Sequence, residues 1–263
     1  MKKQYHYLLT FQYLGFRYHG WQKQPNVKTV QFMLDRTIQF ILGHDHFKTL
    51  GASRTDAMVS AMKSACKISL NEEVDCSEFF EKLNQNLPAD IKALELTPSE
   101  ESFQVIGHAK TKTYYYLFSN EDRAWPFAAP YMCNIPEPLD IDLMREGAKL
   151  FKGSHCFAGY CYKPSPQKVF QRNVLFSEIA ENKLLTANFF PPSSFLYTVK
   201  GQGFMRHQIR LMMGALFRLG RKEIGLEDIK ASLKPEARES IGFVAPASGL
   251  ILGELSFQKQ LNE

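Results

Sequence analysis

The sequence predicts an α+β fold in which a mostly antiparallel sheet is flanked by helices. Three observations point there. Short runs rich in aromatic and β-favouring residues alternate with segments of helical periodicity. Over residues 5–97 these segments follow in the order β-α-β-β-α-β, the ferredoxin-like arrangement. A second set, similar in outline but looser, fills the rest. The chain therefore reads as two ferredoxin-like halves, residues 1–102 and 103–263, whose strands pair into a shared sheet.

Each element has a local reason. "YHYLLTFQY" (residues 5–13) is a strand by composition. Thr29 opens a helix in which Val30, Met33, Leu34, Ile38, Ile41 and Leu42 recur at helical spacing, and Gly43 stops it. A β-type segment lies near Thr49, and "MKSACKISL" (62–70) alternates as a strand does. Residues 75–87 form a helix with Phe79, Phe80 and Leu83 inside, and 91–97 a strand ending at Pro98. In the second half, strands are expected at 113–118, 174–179, 184–190 and 195–200. Helices are expected at 141–151 and 205–219, and "LILGELSF" (250–257) is a closing strand. "YCYKPSPQKVFQ" (160–171) reads as an exposed basic and aromatic insertion.

Composition narrows the function. The 263 residues are 44% hydrophobic, enough for a sizeable core. No apolar run reaches the ~20 residues of a membrane span, and the N-terminus has no small-residue cleavage site. Five cysteines at irregular spacing, without a CxxC pair, read as reduced thiols in a cytoplasmic protein and not as a metal site. The net charge of +5 conceals segregation: residues 1–34, 147–177 and 182–222 hold 17 of the 32 basic residues and no Asp or Glu. Such stretches, folded together, make a positive face suited to a polyanion, most often nucleic acid.

Several segments can bear chemistry. In "GASRTDAMVSA" (51–61), Arg54 and Asp56 project to one side of an extended turn, and the guanidinium favours an ionised carboxylate. "AKTKTYYYLFSN" (109–120) puts Tyr114 and Tyr116 on one strand face and Tyr115 on the other. Aromatic faces beside lysines suit the stacking of bases, although core packing explains most such runs. On the 205–219 helix, Met205, Ile209, Met212, Met213, Leu216, Phe217 and Leu219 form one apolar stripe, with Arg206 and Arg210 at its margin. Those guanidiniums need a carboxylate, a phosphate or water. "GQGFMR" (201–206) is a weak dinucleotide fingerprint but a reasonable close-approach loop before a helix N-terminus.

In this order the segments resemble the TruA family of tRNA pseudouridine synthases over nearly the whole chain. "YLGFRYHGWQKQPNVKTVQ" resembles its Y-x-G-x-x-Y-x-G-W-Q segment running into T-V-Q, and "SRTDAMVSA" its G-R-T-D-x-G-V-x-A catalytic loop. "NQNLPADI" (84–91), "KTKTYYY", "GQGFMRHQIRLMMGAL" and "SGLIL" match four further segments in register. The resemblance implies a pseudouridine synthase fold and isomerisation of uridine in RNA, in the anticodon arm of tRNA, by a cytoplasmic homodimer that needs no cofactor. It implies Asp56 as the catalytic carboxylate, Tyr114 stacked on the flipped base and Arg54 helping to extrude the nucleotide. Arg210 would pair with Asp56, and Leu250 would line the pocket. The chain departs from the pattern at Ser53 and Met58, where the family has glycine, at Ser60, where bacterial members have His, and at Ile106, where Arg is expected. These departures keep two alternatives in view: the same chemistry on ribosomal RNA, or an RNA-binding protein without catalysis.

Overall fold

The computed structural model describes residues 3–123, 125–163 and 169–257, with only the backbone of Lys110. The chain forms two compact units. The first runs to Lys110 and resumes at Leu252, and the second is Thr111–Ile251.

The first unit follows the predicted order: β1 (Tyr5–Tyr13), α1 (Val30–Leu42), β2 (Phe47–Gly51), β3 (Ser60–Leu70), α2 (Cys76–Asn86) and β4 (Ile91–Ser99). Every pairing is antiparallel, β1 with β3 and β4, and β2 with β3. The spatial order 4-1-3-2 is that of a ferredoxin-like sheet. Both helices start where a side chain satisfies an orphan amide. Thr29 accepts from the Phe32 N–H and Asp75 from the Glu78 N–H. Gly43, in the left-handed region at φ 76°, ends α1 as the sequence suggests. Leu9, Phe11, Leu34, Ile38 and Leu83 are fully buried and form the core. Strand β4 runs past Pro98 instead of ending there, because β4 lies at the sheet edge, where a missing N–H breaks no ladder. The closing strand β10 (Leu250–Phe257) also hydrogen-bonds to β3, and its residues from Leu252 onward belong to this unit.

The second unit contains β5 (Ala109–Ser119), β6 (Cys133–Asn134), α3 (Ile141–Leu150), β7 (Gly153–Cys156), β8 (Gln171–Glu181), β9 (Phe195–Gly201), α4 (Gln208–Gly220) and α5 (Leu226–Ser232). Its sheet has the order β5-β9-β8-β7, antiparallel throughout, with β6 added parallel to β5.

Three expectations are corrected here. Residues 184–190 form no strand. Strands β8 and β9 pair as far as Glu181 and Phe195, and Asn182 then closes the connecting loop, bonding Leu185 N–H, Leu185 O and Ser194 Oγ. Leu185, Phe189 and Phe190 are apolar because they cover Leu117, Ala128, Met132 and Leu196. Helix α4 begins at Gln208, three residues late, because His207 takes a left-handed conformation at φ 59°. All of α4 except Arg210 and Arg218 is buried, so it is a central helix and not one with a single apolar stripe. In the insertion at 160–171, Tyr160 and Cys161 are buried and Val169 is exposed, while 164–168 lie outside the described residues.

Candidate active site

In the first unit, Asp56 sits on the loop between β2 and β3, and the segment after β1 fixes that loop's backbone. The Trp21 N–H donates to Thr55 O at 3.2 Å, and the Met58 N–H donates to Tyr18 O at 2.9 Å. Tyr13 OH and Thr55 Oγ1 lie 2.9 Å apart. Gly20, at φ 88°, packs so closely that a Cβ there would come within 2.5 Å of Thr55 O and 3.2 Å of the Asp56 carbonyl carbon. A Cβ on Gly51 would strike the Trp21 indole, and one on Gly15 would strike Val59 O. The Y-x-G-x-x-Y-x-G-W pattern is thus a set of contacts to the Asp56 loop. Its tyrosines and tryptophan supply bonds, and its glycines supply room for backbone against backbone.

A second tier holds the clamp. Asp90, in "NLPADI", accepts both a 2.6 Å bond from Tyr18 OH and two from Arg17, at 2.9 and 2.7 Å. Burial, then the Asp90 carboxylate, pushes the Tyr18 hydroxyl well above the usual phenol range. Gln31 donates to Thr49 O and Thr49 Oγ1, while its Oε1 accepts from the Lys23 N–H. Neither Tyr18 nor Asp90 was singled out by the sequence reading. Their presence in two quoted motifs was the available signal.

The departures from the family pattern have visible outcomes. Met58 adopts φ 65°, a conformation glycine enters freely and methionine enters at a cost. Ser60 is buried, and its Oγ accepts the Gly15 N–H at 2.9 Å. Ser53 is buried at the loop start, and Ile106 is exposed. Around the carboxylate, Arg54 is exposed and Asp56 is partly buried.

In the second unit, Tyr114 lies on β5, nearly buried, edge-on to Phe204 with ring centroids 5.6 Å apart. Lys112 lies two residues earlier on the same strand face, and burial lowers its pKa below the ordinary lysine value. Tyr116, on that face too, packs against Phe217, whereas Tyr115 packs against the cluster beneath residues 185–190. Arg210 projects from α4, and its Nε–H donates to Ala245 O at 2.6 Å. The 242–245 segment reaches α4 because Gly214 leaves no side chain in the way; a Cβ there would overlap Phe243 O. Leu250 is buried at the start of β10, and the Leu117 N–H donates to Gly249 O beside it. Tyr114, Arg210 and Leu250 are therefore each fixed by the packing of this unit. Arg206, expected beside Arg210 on the helix, lies before α4 on an exposed turn.

The positive stretches are partly neutralised. Arg17 pairs with Asp90, Lys23 with Asp35, Arg218 and Arg221 with Glu223, and Lys222 with Asp140. Among the described residues, no group of three or more His, Cys, Asp or Glu is placed to hold a metal, and no helix is long and apolar enough to cross a membrane.

Comparison with known proteins places the sequence among its relatives. A family model described as tRNA pseudouridine synthase matches residues 9–106 and 148–258. The tRNA pseudouridine synthase A of Dictyoglomus thermophilum is 32% identical over 247 residues, 93% of this chain and 96% of that protein. Its counterpart in Bacillus sp. (strain KSM-64) is 33% identical over 95% of this chain and 99% of its own length. The tRNA pseudouridine synthase A 2 of Bacillus anthracis is 32% identical over the same shares. On this match over most of its length, the chain belongs to the TruA family of tRNA pseudouridine synthases.

Proposed function

We propose that this protein isomerises uridine to pseudouridine in the anticodon arm of tRNA, with Asp56 as the catalytic carboxylate. The observation that supports this most is the Asp56 loop, held by two backbone hydrogen bonds, a hydroxyl pair and the close approach of Gly20. Catalysis by a carboxylate demands such placement, since an error of about 1 Å can cost ~100-fold in rate.

The reaction breaks the C1′–N1 bond, turns the base over and joins C5 to C1′. The C5 proton is lost and N1 gains one, so the atoms balance without an oxidant or reductant. The uridine must leave its stack to reach the carboxylate. On the family resemblance, Tyr114 takes the face of the flipped base, Leu250 lines its pocket, Arg54 assists extrusion from its exposed position, and Arg210 supplies the cationic charge of the site. The family resemblance also supports a cytoplasmic homodimer, and sedimentation equilibrium tests the assembly.

Mapping pseudouridine in tRNA and ribosomal RNA incubated with wild type and with Asp56→Ala tests the reading. Product in the anticodon arm with wild type alone is expected. Exposed Ile106, where the family has Arg, favours a second reading in which the substrate is ribosomal RNA; product there alone would establish it. Binding without product in any RNA would show a protein that has lost catalysis.

A further inference from the structure

Before α4, four side chains from two separate segments form a cationic and aromatic cluster. The Tyr162 and His207 rings are stacked, with centroids 4.6 Å apart and planes 25° from parallel. The Arg206 guanidinium carbon lies 5.3 Å from the centre of the Tyr162 ring, and Lys163 Nζ lies 5.4 Å from it. Two cations thus share one ring, each attracted by its π face.

The backbone beneath is stiff. The Tyr162 N–H donates to Arg206 O at 3.1 Å, joining the two segments. The buried Gln208 side chain accepts the Met205 N–H at 2.9 Å, and the Gln208 backbone N–H donates to Met205 O. Lys163 and His207 are both left-handed, at φ 46° and 59°. Non-glycine residues held this way cluster at functional sites.

Arg218, Arg221, Lys222 and Lys230 of the same unit all pair with carboxylates. Residues 147–177 and 182–222 contain no Asp or Glu, and among the described residues no carboxylate pairs with Lys163 or Arg206. Lys149, Lys152, Arg172 and Lys234 of the same unit likewise have no carboxylate partner among the described residues, so what sets Lys163 and Arg206 apart is that both lie over one aromatic ring. Both side chains are exposed. Two exposed cations, oriented by an aromatic ring and left without an acid, match a partner that brings its own anions.

We propose that Tyr162, Lys163, Arg206 and His207 form a docking site for the sugar–phosphate backbone of the RNA substrate. The proposal rests on the RNA reading above and adds the place where backbone phosphates are taken. The two cations bind phosphate, and the Tyr162–His207 stack holds their geometry without reading sequence.

The test is a double substitution, Lys163→Gln with Arg206→Gln, at exposed positions whose loss leaves the core intact. Binding to an unmodified tRNA transcript is measured between about 50 and 200 mM salt, where each lost phosphate contact reduces the slope of log K against log salt by about 0.7–0.9. The expected results are a slope smaller by about 1.5 and a higher KM with kcat retained at saturating RNA. Lys163→Arg with Arg206→Lys should keep the wild-type slope. An unchanged slope and KM in a variant that melts like wild type would overturn the docking site, even with catalysis intact. Because binding is read independently of turnover, a lost slope with an inactive wild type would support the docking site while removing the catalytic reading.

Discussion

Gly20→Ala tests whether the clamp places the Asp56 carboxylate for the proposed reaction. The new Cβ would lie 2.5 Å from Thr55 O, so the loop must retreat ~0.5 Å to reach 3.0 Å and ~0.9 Å to reach ordinary contact. Gly20 also sits at φ 88°, where an L side chain costs about 1–2 kcal/mol. Overpacking adds about 1–3 kcal/mol, and the reduced freedom of the unfolded chain returns about 0.5–1. The net destabilisation is about 1–4.5 kcal/mol, a fall in Tm of about 2–18 °C. The rate effect should be larger than stability explains. A shift of nearly 1 Å at Thr55 and Asp56 predicts a kcat about 100-fold lower at a temperature where the variant is folded. Single-turnover pseudouridine formation on a tRNA transcript, with circular dichroism melting and filter binding alongside, measures all three quantities. RNA affinity should be unchanged. A folded variant with kcat within threefold of wild type would refute the idea that Gly20 holds the carboxylate in place.

Three other predictions follow from the same unit. Met58→Gly removes left-handed strain of about 1–2 kcal/mol and adds about 0.5–1 of unfolded-chain entropy, so urea denaturation should show a gain approaching 1 kcal/mol; a loss would contradict the strain. Asp90→Ala leaves the buried Tyr18 hydroxyl without its acceptor and should cost about 1–3 kcal/mol with reduced turnover, the exposed Arg17 pair adding little; urea melts and turnover equal to wild type would remove Asp90 from the clamp. Burial, and then Lys67, lower the pKa of His6, whose Nδ1 meets Ser69 Oγ while its Nε2 is buried without a partner. The unfolded chain then binds more protons between the lowered pKa and 6.5, so stability should fall as pH drops through that window. His6→Asn should remove that slope in pH-dependent melts, and an identical slope would place its origin elsewhere.

Elements with strong local signals were legible in the sequence. Thr29 and Gly43 bracket α1 because capping is a local interaction, and β1 and β10 have the bounds their composition suggests. Illegible features depend on distant partners. Residues 184–190 carry a strand-like apolar pattern for covering a cluster, a use that periodicity does not distinguish from pairing. Helix α5 has only seven residues, too few for a periodic signal. The late start of α4 turns on one left-handed residue, His207. Within the candidate site, Asp56 and Tyr114 stood out as chemistry in a motif. Tyr13, Gly20 and Asp90 act through contacts made across 35 to 72 residues of chain, and no local pattern reveals those.

The first unit leaves off at Lys110 and is completed only from Leu252 onward, where β10 joins β3. At about 5–20 residues per second of synthesis, the intervening stretch of roughly 140 residues takes about 7–28 s to emerge. Throughout that delay the part of β3 before Cys66, which β2 does not cover, presents an unsatisfied edge, the kind of surface on which nascent chains pair wrongly. Birth of this protein therefore includes a waiting period, and chaperone dependence during translation should end when β10 appears.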